Sequence, residues 1–189
     1  MLWEEKFYRR YMMELKEKAK EFYAKVKAEG TPTNEEMRNG MVGAHKARAT
    51  IMYLIWKEMK LQYPEIDADK VMIAASEKFG IHFGKKWGEV NNAKEALYAQ
   101  SSKLGYMVFQ QELVEYTEEY AQKNFGFCPH IEAVKELGAT PEEIKFFCQE
   151  ILSAGDYGNM IPHDAVELEF KKQIGNGDDC CEYCVKKVR

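Results

Sequence analysis

The apolar pattern of this chain changes period part-way along. The alternating segment that follows the change stops at Phe125-Gly126-Phe127-Cys128-Pro129-His130, where a helix begins. Up to about residue 105, hydrophobic side chains recur mostly at spacings of three and four, the helical repeat. From Tyr106 to about Asn124, aromatic and β-branched residues alternate with polar ones, and neither Gly nor Pro intervenes. Such a chain is expected to pack helices against a sheet rather than build either alone. The same stretch opens the only part that contains cysteine: Cys128, Cys148, Cys180, Cys181 and Cys184.

The helical half divides at its breakers. Tyr8, Met12, Leu15, Ala19, Phe22 and Val26 form one apolar stripe over residues 4–29, ended by Gly30 and Pro32. That stripe is core or the seam of a homodimer. Thr33-Asn34-Glu35-Glu36 has the capping-box form and starts a helix running to about Leu61. Gly40, Gly43, Ala44 and Ala47 along it suit close packing, and His45 and Arg48 read as ordinary surface or core residues. A third helix starts near Asp67 and is stopped by Gly80; Asn92 caps a further short one. The 106–124 segment reads as one long strand. Two helices follow, with Pro129 and Pro141 at first helical positions, the second ending at Gly155. Residues 165–174 and 180–188 read as a hairpin paired with the long strand. The expectation is a single α+β domain over 1–189. Its helical N-terminal half, 1–105, packs on a small antiparallel sheet formed by 106–189, a strand-helix-helix-hairpin part that carries every cysteine.

Composition excludes several classes. A formal charge of −4 and a pI near 5.7 argue against nucleic-acid binding. No apolar run approaches the ~20 residues that span a bilayer. The N-terminus has no signal-peptide pattern, and five cysteines, an odd number, suit reduced thiols. The expected location is the cytoplasm, and the expected partner a small molecule.

Cys128 is the leading chemical group. As the residue before Pro129 it becomes a helix N-cap, where free N–H groups and the helix dipole favour a thiolate, so a lowered thiol pKa is expected. His130 lies two residues on. Cys148 falls on the apolar side of its helix. Cys181 and Cys184 form a CxxC, but a strand turns them to opposite faces, away from a shared metal. Metal is therefore not favoured; any ion would draw on Cys128, His130, Cys148 and Cys181. No cofactor is expected, with zinc, iron or haem as the alternative. Asp156 and Tyr157 read as loop residues, and His163 as a loop residue before the hairpin, placed for acid–base work. Cys181, Tyr157 and Tyr116 are candidate substrate contacts.

These landmarks resemble the L-2-amino-thiazoline-4-carboxylic acid hydrolase family over about Phe125 to Val185. The features are Cys128-Pro129, the helix turn from Glu136 to Glu143, Cys148, a long strand, and Gly177-Asp178-Asp179-Cys180-Cys181-Glu182-Tyr183, similar to the family's Gly-x-x-x-Cys-acid-aromatic ending. The layout is more distantly similar to 4-vinyl reductase-type ligand domains. The family resemblance implies that Cys128, Cys148 and Cys181 are the family cysteines. It also implies hydrolysis of a C–N bond in a small cyclic amidine or amide. Cys128 would attack, or water would with His130 as base, and His163 or Asp156 would assist protonation. One departure stands out. The family pattern has an acid a few residues after its second cysteine; here that region reads Gln149-Glu150-Ile151-Leu152-Ser153, with Asp156 further on. The alternative is a non-catalytic domain that senses a small ligand, a metal or haem.

Overall fold

A computed structural model describes residues 32–189, together with Met13, Glu17 and Lys20. The expected 4–29 helix, and the dimer seam it offered, lie outside the described residues. Contacts divide the chain into two units, Met1–Met37 and Arg38–Arg189. Within the first, the Thr33 box is formed. Glu36 N donates to Thr33 Oγ1 at 3.1 Å, and Thr33 N donates to Glu36 Oε2 at 2.8 Å.

This cap starts helix α1, Asn34–Gln62. Its inward residues, Ala49, Tyr53 and Trp56, recur at the helical spacing. They meet Ala68 and Met72 of α2 (Ala68–Gly84), Ala133 and Val134 of α5 (Pro129–Glu136), and Phe147 and Ile151. Trp56 stacks on Phe146 at 5.3 Å and donates from Nε1 to Asp69 at 2.6 Å, so its polar edge is satisfied while the ring is buried.

A second core lies under the sheet. Its strands are β1 (Gln111–Tyr116), β2 (Tyr120–Phe125), β3 (Val166–Phe170) and β4 (Cys181–Lys187), in the order β1-β2-β4-β3 and antiparallel throughout. The register pairs Ala121 with Val185, Lys123 with Tyr183, Phe125 with Cys181, and Leu168 with Val185. These residues share one face. Ala121, Leu168, Tyr183 and Val185 pack with Ala93, Ala96 and Leu97 of α3 (Ala93–Gln100). Helical layers with a small antiparallel sheet in the C-terminal half make this an α+β fold, as the sequence predicts. No helix among the described residues is long and apolar enough to cross a membrane.

Two expectations are corrected. The long 106–124 strand is instead a helix and a hairpin. Ser102 accepts from Gly105 N at 2.9 Å and starts α4, Lys103–Phe109. Gln110, left-handed at φ 49, ends it. The chain then reverses between β1 and β2 on a side-chain turn: Thr117 Oγ1 accepts from Tyr120 N at 3.0 Å and donates to Tyr120 O at 2.7 Å. No Gly or Pro marks it, so pattern reading runs straight through.

The second correction concerns glycine. Gly80 does not stop α2, nor does Gly155 stop the helix after Thr140. That segment runs as α6 (Pro141–Phe146), a wide π turn over Phe147–Leu152, and α7 (Ser153–Met160). A Cβ on Gly80 would collide with the Gly155 carbonyl oxygen, one on Gly84 with that of Asn159, and one on Gly158 with that of Glu77. These glycines let α2 and α7 touch backbone to backbone. Asp156 and Tyr157 therefore lie on a helix, not in a loop.

Candidate active site

Two backbone bonds bring the chain into α5: Gly126 N donates to Gln110 O at 3.2 Å and Phe127 N to Phe109 O at 3.1 Å. Cys128 is the N-cap, in extended conformation, and Pro129 opens the helix. Its sulfur lies 3.9 Å from His130 Nδ1. On the other side of that ring, Nε2 is 2.7 Å from an Arg48 Nη2 and 3.0 Å from His45 Nδ1, both from adjacent turns of α1. Guanidinium only donates, so Nε2 accepts and the ring proton sits on Nδ1, facing sulfur. Burial, then the Arg48 charge and His45, hold His130 far below its ordinary pKa, so the ring is neutral.

The thiol does not behave as the sequence predicts. Cys128 is pushed up to about 11. Burial is the largest cause; the His130 and Ile131 amides and Arg48 pull the other way and lose. Enclosure within the protein outweighs the helix terminus, although Cys128 as a residue is only half-buried and lines a cavity. Cys148 is raised by burial and by its cysteine neighbours, and Cys181 is raised to about 12, again mainly by burial.

The cavity, of about 650 Å³, brings together Cys128, His130, Cys148, Cys181 and Asp156. Phe125, Phe170 and Cys181 of the sheet form one wall. Ile174 N donates to the Cys181 sulfur at 3.3 Å, and Gly175 passes Cys148 so closely that a Cβ there would strike its side chain. Burial raises the Asp156 carboxyl to about 6, against the opposing charges of Lys123 and Arg48. Lys123, next to it in this electrostatic set, is lowered by burial to about 7 and donates to Gln100 Oε1 and to Ser101 Oγ at 2.8 Å. Among the described residues, two buried side-chain polar atoms lack a hydrogen-bond partner: Arg48 Nε and the Tyr183 hydroxyl.

Three sequence candidates lie elsewhere. His163 stacks on Trp87 at 5.5 Å, with its Nε2 3.0 Å from Gly84 O, a buried structural position. Tyr157 is exposed and meets Phe170 edge-on at 5.9 Å. Tyr116 lines a separate hollow of about 280 Å³ with Trp87 and Tyr98. Conversely, His45 and Arg48, which the sequence reads as ordinary surface or core residues, line this cavity, and Lys123, which it passes over, neighbours Asp156. Lys123 carried a signal, since it falls in phase with the inward pair Ala121 and Phe125 on β2. Cys181 and Cys184 do fall on opposite faces of β4, and among the described residues no group of three or more His, Cys, Asp or Glu side chains is arranged to hold a metal.

Comparison with known families matches residues 44–185 to L-2-amino-thiazoline-4-carboxylic acid hydrolase. The chain belongs to this family. The match extends the likeness from the cysteine-bearing half back through most of α1, so that His45 and Arg48 lie inside the family region with Cys128, Cys148 and Cys181. The similarity to 4-vinyl reductase-type domains is not confirmed. No curated protein matches the sequence. Among solved structures, this family member is similar to a trafficking protein particle complex subunit 3 from Naegleria fowleri covalently bound to palmitic acid. That match has 15% identity and a TM-score of 0.47, covering 76% of this chain and 97% of the other.

Proposed function

We propose that this family member hydrolyses a C–N bond in a small cyclic amidine or amide, with Cys128 as nucleophile. The observation that carries the reading is the Arg48–His130–Cys128 chain at the wall of a cavity that Asp156 also lines. A thiol held near 11 is neutral at physiological pH, so its proton must leave as the sulfur attacks. His130 cannot take it at Nδ1, which already bears hydrogen. Asp156, near 6, is ionised at neutral pH and suited to accept it.

The steps balance as follows. Sulfur bonds to the sp² carbon as its proton passes to Asp156. The C–N bond breaks and the leaving nitrogen takes that proton. Water adds to the same carbon, giving a proton to Asp156; the S–C bond breaks and sulfur recovers the proton. The His130 Nδ1–H and the first free amides of α5 steady negative charge on sulfur. The test uses 2-amino-thiazoline-4-carboxylate and related cyclic amidines as substrates, with intact-mass detection of a covalent adduct. Cys128→Ala should abolish turnover while the protein stays folded; full turnover in that variant overturns the nucleophile role.

The raised thiol pKa also favours a second reading, a domain that binds a small ligand without turning it over. Ligand retained unchanged by the wild-type protein would decide for it.

A further inference from the structure

The cavity is far larger than a thiazoline ring needs. A dry protein cavity of ~150 Å³ is filled by one benzene ring. This one, at about 650 Å³, has room for roughly four. Its walls are mostly apolar: Met52, Met72, Phe79, Phe109, Phe125 and Phe170 contribute to it. Methionine adapts its shape to a range of apolar partners. Phe79 and Leu104 line the same space while remaining 48% and 41% exposed, which makes them the apolar rim of its opening.

Charge within the walls is sparse and unequal. Among the described lining residues, Arg48 is the one permanent cation and Asp156 the one carboxylate. Asp156 has Lys123 as its stronger positive neighbour. The guanidinium lies over the Phe79 ring at 5.4 Å, its Nη2 serves His130 and its buried Nε has no partner, so donors are left to spare. A half-buried guanidinium that lines an apolar cavity suits a carboxylate.

We propose that the substrate is an amphipathic carboxylic acid that carries the small cyclic amidine or amide as its reacting group, its carboxylate on Arg48 beside Cys128 and an apolar body along the methionine and phenylalanine walls, some twenty or more non-hydrogen atoms in all. This rests on the hydrolase reading for the reaction at Cys128, and on the cavity alone for the binding.

The test is calorimetric titration of the full chain with butanoate, octanoate and dodecanoate. Affinity should rise about fourfold per methylene until the space is filled. Dodecylammonium, of the same length and opposite charge, should bind at least tenfold more weakly than dodecanoate. Met52→Trp, which narrows the apolar part, should lose most dodecanoate affinity and keep that for butanoate. A flat response from butanoate to octanoate in the wild type, or equal binding of the ammonium, overturns the proposal whether or not the variant folds. A length series that holds in a protein with no turnover removes the hydrolase reading and leaves this one. Turnover of small cyclic amidines with a flat series does the reverse.

Discussion

Arg48 donates to His130 Nε2 at 2.7 Å, and this fixes the ring's proton on Nδ1, where it meets the Cys128 sulfur at 3.9 Å. Residues 82 apart in the chain thereby set a tautomer. Arg48→Gln should weaken that choice. Nitrogen NMR of the imidazole should report one tautomer in the wild type and a mixture in the variant. Turnover should fall roughly 10- to 100-fold, the range for losing one charge-assisted hydrogen bond. Arg48→Lys should recover part of it; an unchanged NMR signature would remove the positioning role.

With Asp156 as the proposed base, its carboxyl should set the pH dependence. With its carboxyl near 6, turnover should climb as pH rises through about 6, as the general base becomes ionised. Asp156→Asn should lose about 10²- to 10⁴-fold and flatten that limb of the profile. A limb that survives in the Asn variant belongs to another group.

Lys123 should make stability depend on pH. Its folded pKa is depressed from 10.5 to about 7, so between those values the unfolded chain binds more protons than the folded one. Its contribution to unfolding free energy therefore rises as pH rises from about 7 and falls as the buried amine is forced to charge; above about pH 9 the raised thiols of Cys128, Cys148 and Cys181 pull stability the other way. Lys123→Met should abolish that slope. Urea midpoints at pH 7 and pH 8.5, below the range where the unfolded chain's thiols ionise, give the measurement, and a rise that persists in the variant excludes Lys123 as its source.

The glycine contact between α2 and α7 should be intolerant of a methyl group. Gly80→Ala and Gly158→Ala each drive a Cβ into a backbone carbonyl, so about 1–3 kcal/mol or more of stability should be lost by overpacking. Gly126→Ala is the control. A Cβ there makes only ordinary contacts, at 3.5 Å and beyond, so the change should stay within about 0.5 kcal/mol. Thermal unfolding of the three variants side by side is enough.

What could be read from the sequence depended on whether the signal was local. Thr33, Asn92, Pro129 and Thr140 are caps or helix starts, made by residues within one turn, and each appears where the sequence predicts. The Thr117 turn is also local, but a threonine hydroxyl replaces the usual glycine, so the reversal passes unseen. Glycine misled in the opposite sense. Gly80 and Gly155 look like helix stops, whereas their meaning is the other helix, which only tertiary structure supplies. Cys128, His130, Cys148, Cys181 and Asp156 were legible as cavity candidates because their residue types are chemically distinctive. Arg48 was not, because a charged residue on an amphipathic helix is ordinarily solvated.

The wide turn over Phe147–Leu152 acts as a phase shifter within what would otherwise be one rod from Pro141 to Met160. Each residue of an α-helix advances about 100°, so the extra residue this turn accommodates rotates everything after it by that amount relative to everything before. Cys148 and Asp156 face the same cavity across that shift. Helical-wheel arithmetic carried through the segment will therefore misplace its second half. In any relative, a one-residue insertion or deletion between these two positions would matter more than most substitutions, because it would turn the carboxylate away from the cavity while leaving the composition nearly intact.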